Sequence, residues 1–300
     1  MNRRTLAPLL ALALLAAPGA GRAAAAAGLR HEKTVYADAR DAALKLPEGV
    51  GCDDKGAFVV ADTGNGRLLL FKFQDGAVSG GTEVKLPQLP YPTRVQVGPQ
   101  GDVYVLDRKQ KKIVKLDAAG AFAGFVEPSG ASGAGTVVPS SFKVDGTGKL
   151  ALLDVAGRRV LVLDPAGKVL REAPLPKDGF FTDVAVDPDG RVLALDGVNA
   201  AVFALPKDKA EFQPLGVGLK DKMSFPVDLE VWKGKLFLVD QNGHGIAVLG
   251  LDGTYVGREL AMGWSEGALY YPSQLCIDAG GDAFLADRNN SRVQVFSIAR

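Results

Sequence analysis

Few residues in this chain supply metal or nucleophile chemistry. His31 and His244 are the only histidines among 300 residues, so a three-histidine zinc site is impossible. GxSxG, HExxH and phosphate-loop motifs are also missing. The Gly/Ser-rich run 130–135 has no lysine and is interpreted as a flexible loop. The sequence therefore contains no recognisable catalytic motif.

A charge bias is missing as well. The chain has 35 basic and 34 acidic residues, and removal of the three arginines before residue 28 leaves 32 basic residues and a net charge of −2. Binding to nucleic acid depends on an excess of basic charge. We therefore expect no nucleic-acid partner.

Long apolar runs are confined to the N-terminus. Arg3 and Arg4 precede the apolar run Leu6–Ala17, and small residues follow it. This order is typical of a signal peptide, here residues 1–27, with cleavage between Gly19 and Ala27. The run is too short for a membrane anchor. We expect an exported protein, periplasmic or secreted, without a transmembrane anchor; the paired arginines leave both Sec and twin-arginine export open.

A glycine stands six residues before an aspartate at six places along the chain. Successive aspartates are separated by 45, 47, 42, 44 and 47 residues, which is the length of one four-stranded propeller blade. The glycine is expected at the positive φ of a tight turn, and the aspartate is expected to accept hydrogen bonds from turn amides. The glycine–aspartate pairs are Gly56/Asp62, Gly101/Asp107, Gly148/Asp154, Gly190/Asp196, Gly234/Asp240 and Gly281/Asp287.

Two of these units resemble NHL repeats. Segments 46–71 and 271–296 have a proline near the start, a small residue before the aspartate, an Asn-x-Arg turn and an aromatic close. The resemblance covers the chain after about residue 46 and weakens in units four and five, where Ala201 and Gly245 occupy the basic position. The amidating lyases related to this propeller group use histidine ligands that this chain lacks, so the resemblance does not imply that activity.

The repeat length and this resemblance together predict an all-β fold. We expect a six-bladed β-propeller of four-stranded antiparallel blades in one domain, 28–300, with blades starting near 47, 92, 139, 181, 226 and 272. Because the last unit ends soon after its third strand, its outer edge needs a partner. The segment Lys33–Ala37 is predicted to supply that strand and to close the ring. The protein is expected to be a monomer.

The two cysteines, Cys52 and Cys276, lie in the inner strands of the first and last blades. A closed ring makes these blades neighbours, and counting from the prolines directs the two side chains to opposite faces of equivalent strands. Their sulfurs either form a disulfide, which an exported protein permits, or remain two buried small side chains.

Alternation along the inner strands directs several polar side chains toward the central channel. Asp183, Asp228 and Glu230 in blades four and five supply the hard oxygen ligands that Ca²⁺ or another divalent cation prefers. Gluconolactonase-like propellers, which share this architecture, hold a divalent ion on their axis. The alternative is that these carboxylates pair across the channel with Arg94 and Lys143, with no cofactor.

One rim of the ring is expected to be basic, because propeller topology places the turns after the aspartates on the same face as the inter-blade connections. Such a patch on a nearly neutral protein suits a protein or an acidic ligand; alternatively, Lys112 and Arg159 pair with local aspartates and the others are solvated. Trp264 and Tyr270 add aromatic contact surface on the same rim, or cap blade six. The basic residues are Arg108, Lys109, Lys111, Lys112, Arg158 and Arg159.

These observations favour a non-catalytic binding or scaffold module that acts through its loop-rich top face. The competing hypothesis is an enzyme, a divalent-cation-dependent hydrolase or lactonase with Asp183, Asp228 and Glu230 around the axial ion. Metal content separates the two hypotheses.

Overall fold

The computed structural model of the chain describes residues 28–133 and 135–299. The predicted signal peptide, 1–27, lies outside the described residues. Twenty-four strands form six antiparallel sheets of four strands each. The prediction of a six-bladed β-propeller is confirmed.

Each of the first three blades is one continuous stretch of chain after the N-terminal strand β1 (Leu29–Val35). Blade one has β2 (Gly49–Cys52), β3 (Ala57–Asp62), β4 (Arg67–Gln74) and β5 (Ala77–Val84). Blade two has β6 (Pro92–Val97), β7 (Val103–Asp107), β8 (Lys112–Leu116) and β9 (Phe122–Val126). Blade three has β10 (Pro139–Val144), β11 (Leu150–Asp154), β12 (Arg159–Leu163) and β13 (Val169–Pro174).

The next two blades follow the same plan, and the sixth is completed by β1. Blade four has β14 (Phe181–Val186), β15 (Val192–Asp196), β16 (Ala201–Leu205) and β17 (Gln213–Leu215). Blade five has β18 (Pro226–Trp232), β19 (Lys235–Asp240), β20 (Gly245–Gly250) and β21 (Tyr255–Glu259). Blade six has β22 (Leu275–Ile277), β23 (Asp282–Asp287) and β24 (Arg292–Ile298); single 3₁₀ turns span Thr63–Asn65 and Arg288–Asn290.

Glycine is required at the turn between the first two strands of a blade. All six repeated glycines have φ between 71° and 100°, a region that side chains with a Cβ rarely adopt. At Gly56 a Cβ would also lie 2.2 Å from the carbonyl oxygen of Phe73. The predicted positive φ is confirmed at every unit.

The six repeated aspartates are almost completely buried at the end of the second strand. Each accepts a hydrogen bond from a backbone amide in the connection that enters its own blade, as Asp107 does from Tyr91 at 2.6 Å and Asp287 does from Tyr270 at 2.8 Å. Asp107 also accepts from the amide of Gln110, in the turn that follows it. The aspartate therefore ties two loops of the top face to the second strand.

Strand β1 closes the ring. It pairs antiparallel with β24, from Leu29 opposite Ile298 to Val35 opposite Val293. The predicted closure is confirmed, although the strand begins and ends earlier than the predicted segment Lys33–Ala37; Ala37 forms only an isolated bridge with Ala43. Both ends of the described chain are thus held in one sheet.

Apolar side chains from adjacent blades pack face to face. Between blades one and six, Phe58 stacks on Phe71 and on Phe284, with ring centroids 5.1 and 4.7 Å apart. Beside this cluster the sulfurs of Cys52 and Cys276 are joined in a disulfide, with Cα atoms 5.9 Å apart. This bond links the two blades that β1 also joins. Among the described residues, no helix has the length and apolarity needed to span a membrane.

Candidate functional site

The central channel is lined by the residue two positions after the proline that opens each repeat unit, or after Phe181 in blade four; these residues are Gly49, Arg94, Ser141, Asp183, Asp228 and Gln274. Side chains at this position reach the neighbouring blade: Asp183 accepts from the amide of Leu229 at 2.7 Å, and Asp228 accepts from that of Leu275 at 2.9 Å. In four blades the strand pairing shifts register just before this residue. These carboxylates therefore have a structural task, because each one satisfies an inner-strand amide of the next blade.

Gln274 performs the same task in blade six. Its Oε1 accepts from the amides of Val50 and Val95, both at 3.1 Å, and its Nε2 donates to the carbonyl oxygen of Val95 at 2.9 Å. A Cβ at Gly49, the equivalent position of blade one, would lie 3.2 Å from that Oε1 and 2.8 Å from the carbonyl oxygen of Thr93. The small residue in blade one makes room for this contact.

The basic channel residues pair with the carboxylates. The Arg94 guanidinium donates to Asp228 and to the carbonyl oxygen of Val227, and it lies 3.9 Å from Asp183, which also accepts from the Ser141 hydroxyl. Lys143 donates to both oxygens of Glu230. The structure thus has the paired arrangement that was the alternative to an axial cation.

Burial raises the pKa values of two channel carboxylates. Burial and repulsion from Asp183 raise the pKa of Asp228 to about 8, against the attraction of Arg94. Burial also raises the pKa of Glu230, against the attraction of Lys143. Within residues 28–133 and 135–299, no group of three or more His, Cys, Asp or Glu side chains has an arrangement that could hold a metal ion. The axial cation stays a prediction, and such an ion would have to displace Arg94 and Lys143.

A cavity of about 610 Å³ opens at the mouth of the channel on the top face. Its cations are Arg94 and three residues of the predicted basic rim, Arg108, Lys111 and Arg158. Most of the remaining pocket wall is apolar. The apolar lining comprises Leu106, Val138, Pro139, Val155, Leu175, Phe180, Phe181, Phe225 and Val227.

The four cations of this pocket differ in how far protein groups neutralise them. Arg94 is paired with Asp228, and Arg108 is 2.8 Å from Glu48, which also binds Arg288 of blade six at 3.2 Å. Within residues 28–133 and 135–299, the Arg158 guanidinium donates only to the carbonyl oxygens of Pro176 and Lys177, at 3.3 and 2.6 Å. Lys111 has no side-chain partner in the described part of the chain. Two positive charges, on Arg158 and Lys111, are therefore left without a carboxylate.

The other three predicted rim residues do not line the pocket. Lys112 binds Glu127 at 3.0 Å and lies over the Phe125 ring, so its partner is not a local aspartate. Arg159 binds Asp154 at 2.9 Å and Glu172 at 2.8 Å, as expected for a repeat arginine. Lys109 is exposed. The geometry thus divides the predicted patch into pocket residues and residues that serve the blades.

The apolar side of the pocket was not predicted. Phe180 is 58% exposed, its ring centroid is 6.2 Å from that of Phe225, and Val155 is 44% exposed. A signal for it existed, because the residue just before the proline that opens each unit, or before Phe181 in blade four, is apolar or aromatic in every unit. These residues are Leu46, Tyr91, Val138, Phe180, Phe225 and Tyr271, and three of them line the pocket.

The predicted aromatic rim is a separate feature. Trp264 is 69% exposed and its ring centroid lies 5.8 Å from that of Tyr270, which stacks on His244 at 5.4 Å; none of these residues lines the pocket. The Nδ1 atom of His244 accepts from the amide of Tyr271 at 3.1 Å. A neutral His244 therefore carries its proton on Nε2 and can only donate from that atom.

One wall residue has an unmet hydrogen-bonding group. The Oγ atom of Ser140, in β10, is covered and has no hydrogen-bond partner. In the described part of the chain, Asp102 Oδ1 is the one other covered side-chain atom in this condition. By contrast the hydroxyl of Thr182, in the same pocket, donates to carbonyl oxygens at 3.3 and 3.0 Å.

Comparison with known proteins finds one family-model match. An NHL repeat model matches residues 269–296, in blade six, and no curated protein matches the chain. The described chain is thus a six-bladed β-propeller in which one segment matches the NHL repeat.

Solved structures share the fold at low sequence identity. A streptogramin B lyase has a TM-score of 0.63 at 15% identity, over 90% of this chain and 97% of that chain. A gluconolactonase from Xanthomonas campestris has a TM-score of 0.65 at 16% identity, over 90% of this chain and 95% of that one. A protein of unknown function from Bacteroides thetaiotaomicron has a TM-score of 0.67 at 16% identity, over 90% and 73% of the two chains. These similarities concern the fold, on which binding and enzymatic roles both occur.

Proposed function

We propose that this protein is an exported, non-catalytic binding module whose ligand site is the pocket at the mouth of the channel. The observation that carries the proposal is the composition of that pocket. A cavity of about 610 Å³ has two cations without a carboxylate on one side and exposed apolar side chains on the other. Concave, mostly apolar pockets with a few converging polar groups are the usual sites for small ligands.

The disulfide supports export. Disulfides persist in oxidising compartments and are rare in the cytosol. The bond between Cys52 and Cys276 joins blades one and six, and it agrees with the signal-like N-terminal sequence. Periplasmic or secreted location is part of the proposal.

The experiment compares ligand binding in wild type and in a variant with the pocket filled. A diverse set of small molecules is screened by thermal shift against wild type and Val155→Trp. Because Val155 is 44% exposed and lines the pocket, tryptophan there is expected to fill the cavity without unfolding the blade. Val198→Trp is the matched control, since Val198 is 53% exposed in the corresponding turn of blade four and lies outside the pocket lining.

Compounds that stabilise wild type and Val198→Trp, and that lose this effect in Val155→Trp, support the proposal. Two results contradict it. One is that stabilising compounds act equally on all three proteins. The other is that their effect is lost in Trp264→Ala instead, which would move the site to the aromatic rim.

The alternative function is a divalent-cation-dependent hydrolase or lactonase. Its support is the similarity in fold to a gluconolactonase, and it requires Asp183, Asp228 and Glu230 to exchange their pairing with Arg94 and Lys143 for a cation. Mass spectrometry of protein purified without chelator tests it directly. A stoichiometric divalent ion that is lost in Asp228→Ala would favour the enzyme, and a metal-free protein with unchanged stability in chelator would favour the binding module.

A further inference from the structure

The pocket has a charged side and an apolar side, and this asymmetry restricts the ligand. Lys111 and Arg158 come from the turns after the second strands of blades two and three. Phe180 and Phe225 come from the connections that enter blades four and five. Since Arg94 and Arg108 already have carboxylate partners, the charge available to a ligand lies on the side of blades two and three.

Ser140 lies on the same side as these charges. It is the second residue of β10 in blade three, and its hydroxyl lacks a partner in the described structure. A covered hydroxyl without a hydrogen bond is unfavourable. Rotation about the single χ1 dihedral angle is needed to turn the covered Oγ toward the cavity, and after that rotation Ser140 can donate to an acceptor in the pocket.

Resting on the proposed function, we propose that the ligand is an organic anion with an apolar body. Its carboxylate, or an equivalent single anionic group, lies between Lys111 and Arg158 and accepts from Ser140. Its apolar body lies against Phe180 and Phe225. A guanidinium and an ammonium recognise such a head group by charge-assisted hydrogen bonds, and aromatic walls supply most of the buried apolar contact.

The test uses a matched series of probes, measured by calorimetry. 4-Phenylbutyrate carries the anion and the ring, 4-phenylbutanamide removes the charge, 4-phenylbutylamine reverses it, and butyrate removes the ring. We expect 4-phenylbutyrate to bind at least about 10-fold more tightly than each of the other three. Its affinity should fall with added salt, because exposed charges are screened.

Protein variants locate each half of the ligand. Lys111→Met and Arg158→Met are each expected to weaken 4-phenylbutyrate about 10-fold and to leave the amide unchanged. Lys109→Met is the matched control, since Lys109 is an exposed lysine of the same turn outside the pocket lining. Phe180→Ala is expected to weaken 4-phenylbutyrate and to leave butyrate unchanged.

Ser140→Ala separates a ligand contact from a structural role. Removal of an unpartnered covered hydroxyl is expected to leave the melting temperature of the unliganded protein unchanged or higher, while the affinity for 4-phenylbutyrate falls several-fold. Thr182→Val is the contrast, because its hydroxyl already binds two carbonyl oxygens; it is expected to lower the melting temperature instead.

The outcomes distinguish this inference from the proposed function. If the amide or the amine binds as tightly as 4-phenylbutyrate, or if butyrate does, the anionic amphipathic ligand is wrong. In that case compounds from the thermal-shift screen that are lost in Val155→Trp would still support the pocket as the binding site. If no probe binds and no such compound exists, both proposals fail.

Discussion

Removal of the Cys52–Cys276 disulfide is expected to lower the stability of the ring without changing its fold. The bond closes a loop with a sequence separation of 224 residues. For a loop of that length, the disulfide lowers the entropy of the unfolded chain by an amount that corresponds to about 5 kcal/mol. Native disulfides typically contribute about 2–5 kcal/mol, so about 5 kcal/mol is the upper limit of the expected loss.

The expected shift in melting temperature follows from the size of the domain. With an unfolding entropy of about 2.1 cal/mol/K per residue, a domain of this length loses about 4–9 °C for that change in the free energy of unfolding. The native sheet is retained, because six of the seven residues of β1 still pair with β24.

The assay is thermal unfolding followed by circular dichroism, for wild type with and without reductant and for the double variant Cys52→Ala/Cys276→Ala. The double variant is the control for reductant, which should not change its melting temperature. Alanine is used because both cysteines border an apolar cluster. Equal melting temperatures for oxidised and fully reduced wild type, with two free thiols confirmed by titration, would show that β1 alone closes the ring and would refute the reasoning.

Three further predictions concern buried groups and turns. Because burial and Asp183 raise the pKa of Asp228 from 3.8 to about 8, protons bind more tightly to the folded than to the unfolded state, so stability should fall as the pH rises from about 4 toward 8. Urea midpoints measured across this range should fall less steeply in Asp228→Asn. Gly56→Ala should cost about 1–3 kcal/mol, and Gly76→Ala should cost less because nothing lies within 4 Å of its added Cβ; urea unfolding of both variants checks this order. Arg292→Met should cost about 3–5 kcal/mol, since it leaves Asp287 buried without the guanidinium now 2.7 Å away, and a denaturation midpoint equal to that of wild type would contradict it.

The blade repeat was readable because it depends on local chemistry. A glycine at positive φ and a buried aspartate six residues later recur in every unit, and each acts mainly within its own blade. The closing strand was also predictable, because an open sheet edge requires a partner. Its bounds were not, because the register of β1 is set by its contacts with β24 at the far end of the chain.

The repeat pattern does not always predict which side chain pairs with the repeated aspartate of a blade. In blade five, Gly245 replaces the repeat arginine, and Arg258 from the outer strand occupies the space and binds Asp240 at 2.9 Å. In blade four, Ala201 stands at the same position, and Asn199 donates to Asp196 at 2.7 Å, as the equivalent turn residues Asn65 and Asn290 do to the aspartates of blades one and six. Only the replacement in blade five depends on a side chain from another strand of the blade.

The candidate site was predicted in part. Strand alternation and blade topology predict polar channel residues and a basic rim, and the role of that rim in binding stays a prediction. The sequence did not predict which cations lack a carboxylate partner. Arg108 pairs with Glu48 of blade one, 60 residues away along the chain, and Arg94 pairs with Asp228 of blade five, 134 residues away.

The sequence by itself determined the number of blades, the turn chemistry and the strand that closes the ring, since these follow from the repeat length and from interactions that recur in each unit. Tertiary structure alone decided which channel carboxylates are neutralised and which cations stay available. It also brought Phe180 and Phe225 of blades four and five to the same cavity as Lys111 and Arg158 of blades two and three. The physical reason is that pairing and pocket shape depend on distances between side chains that only the closed ring brings together.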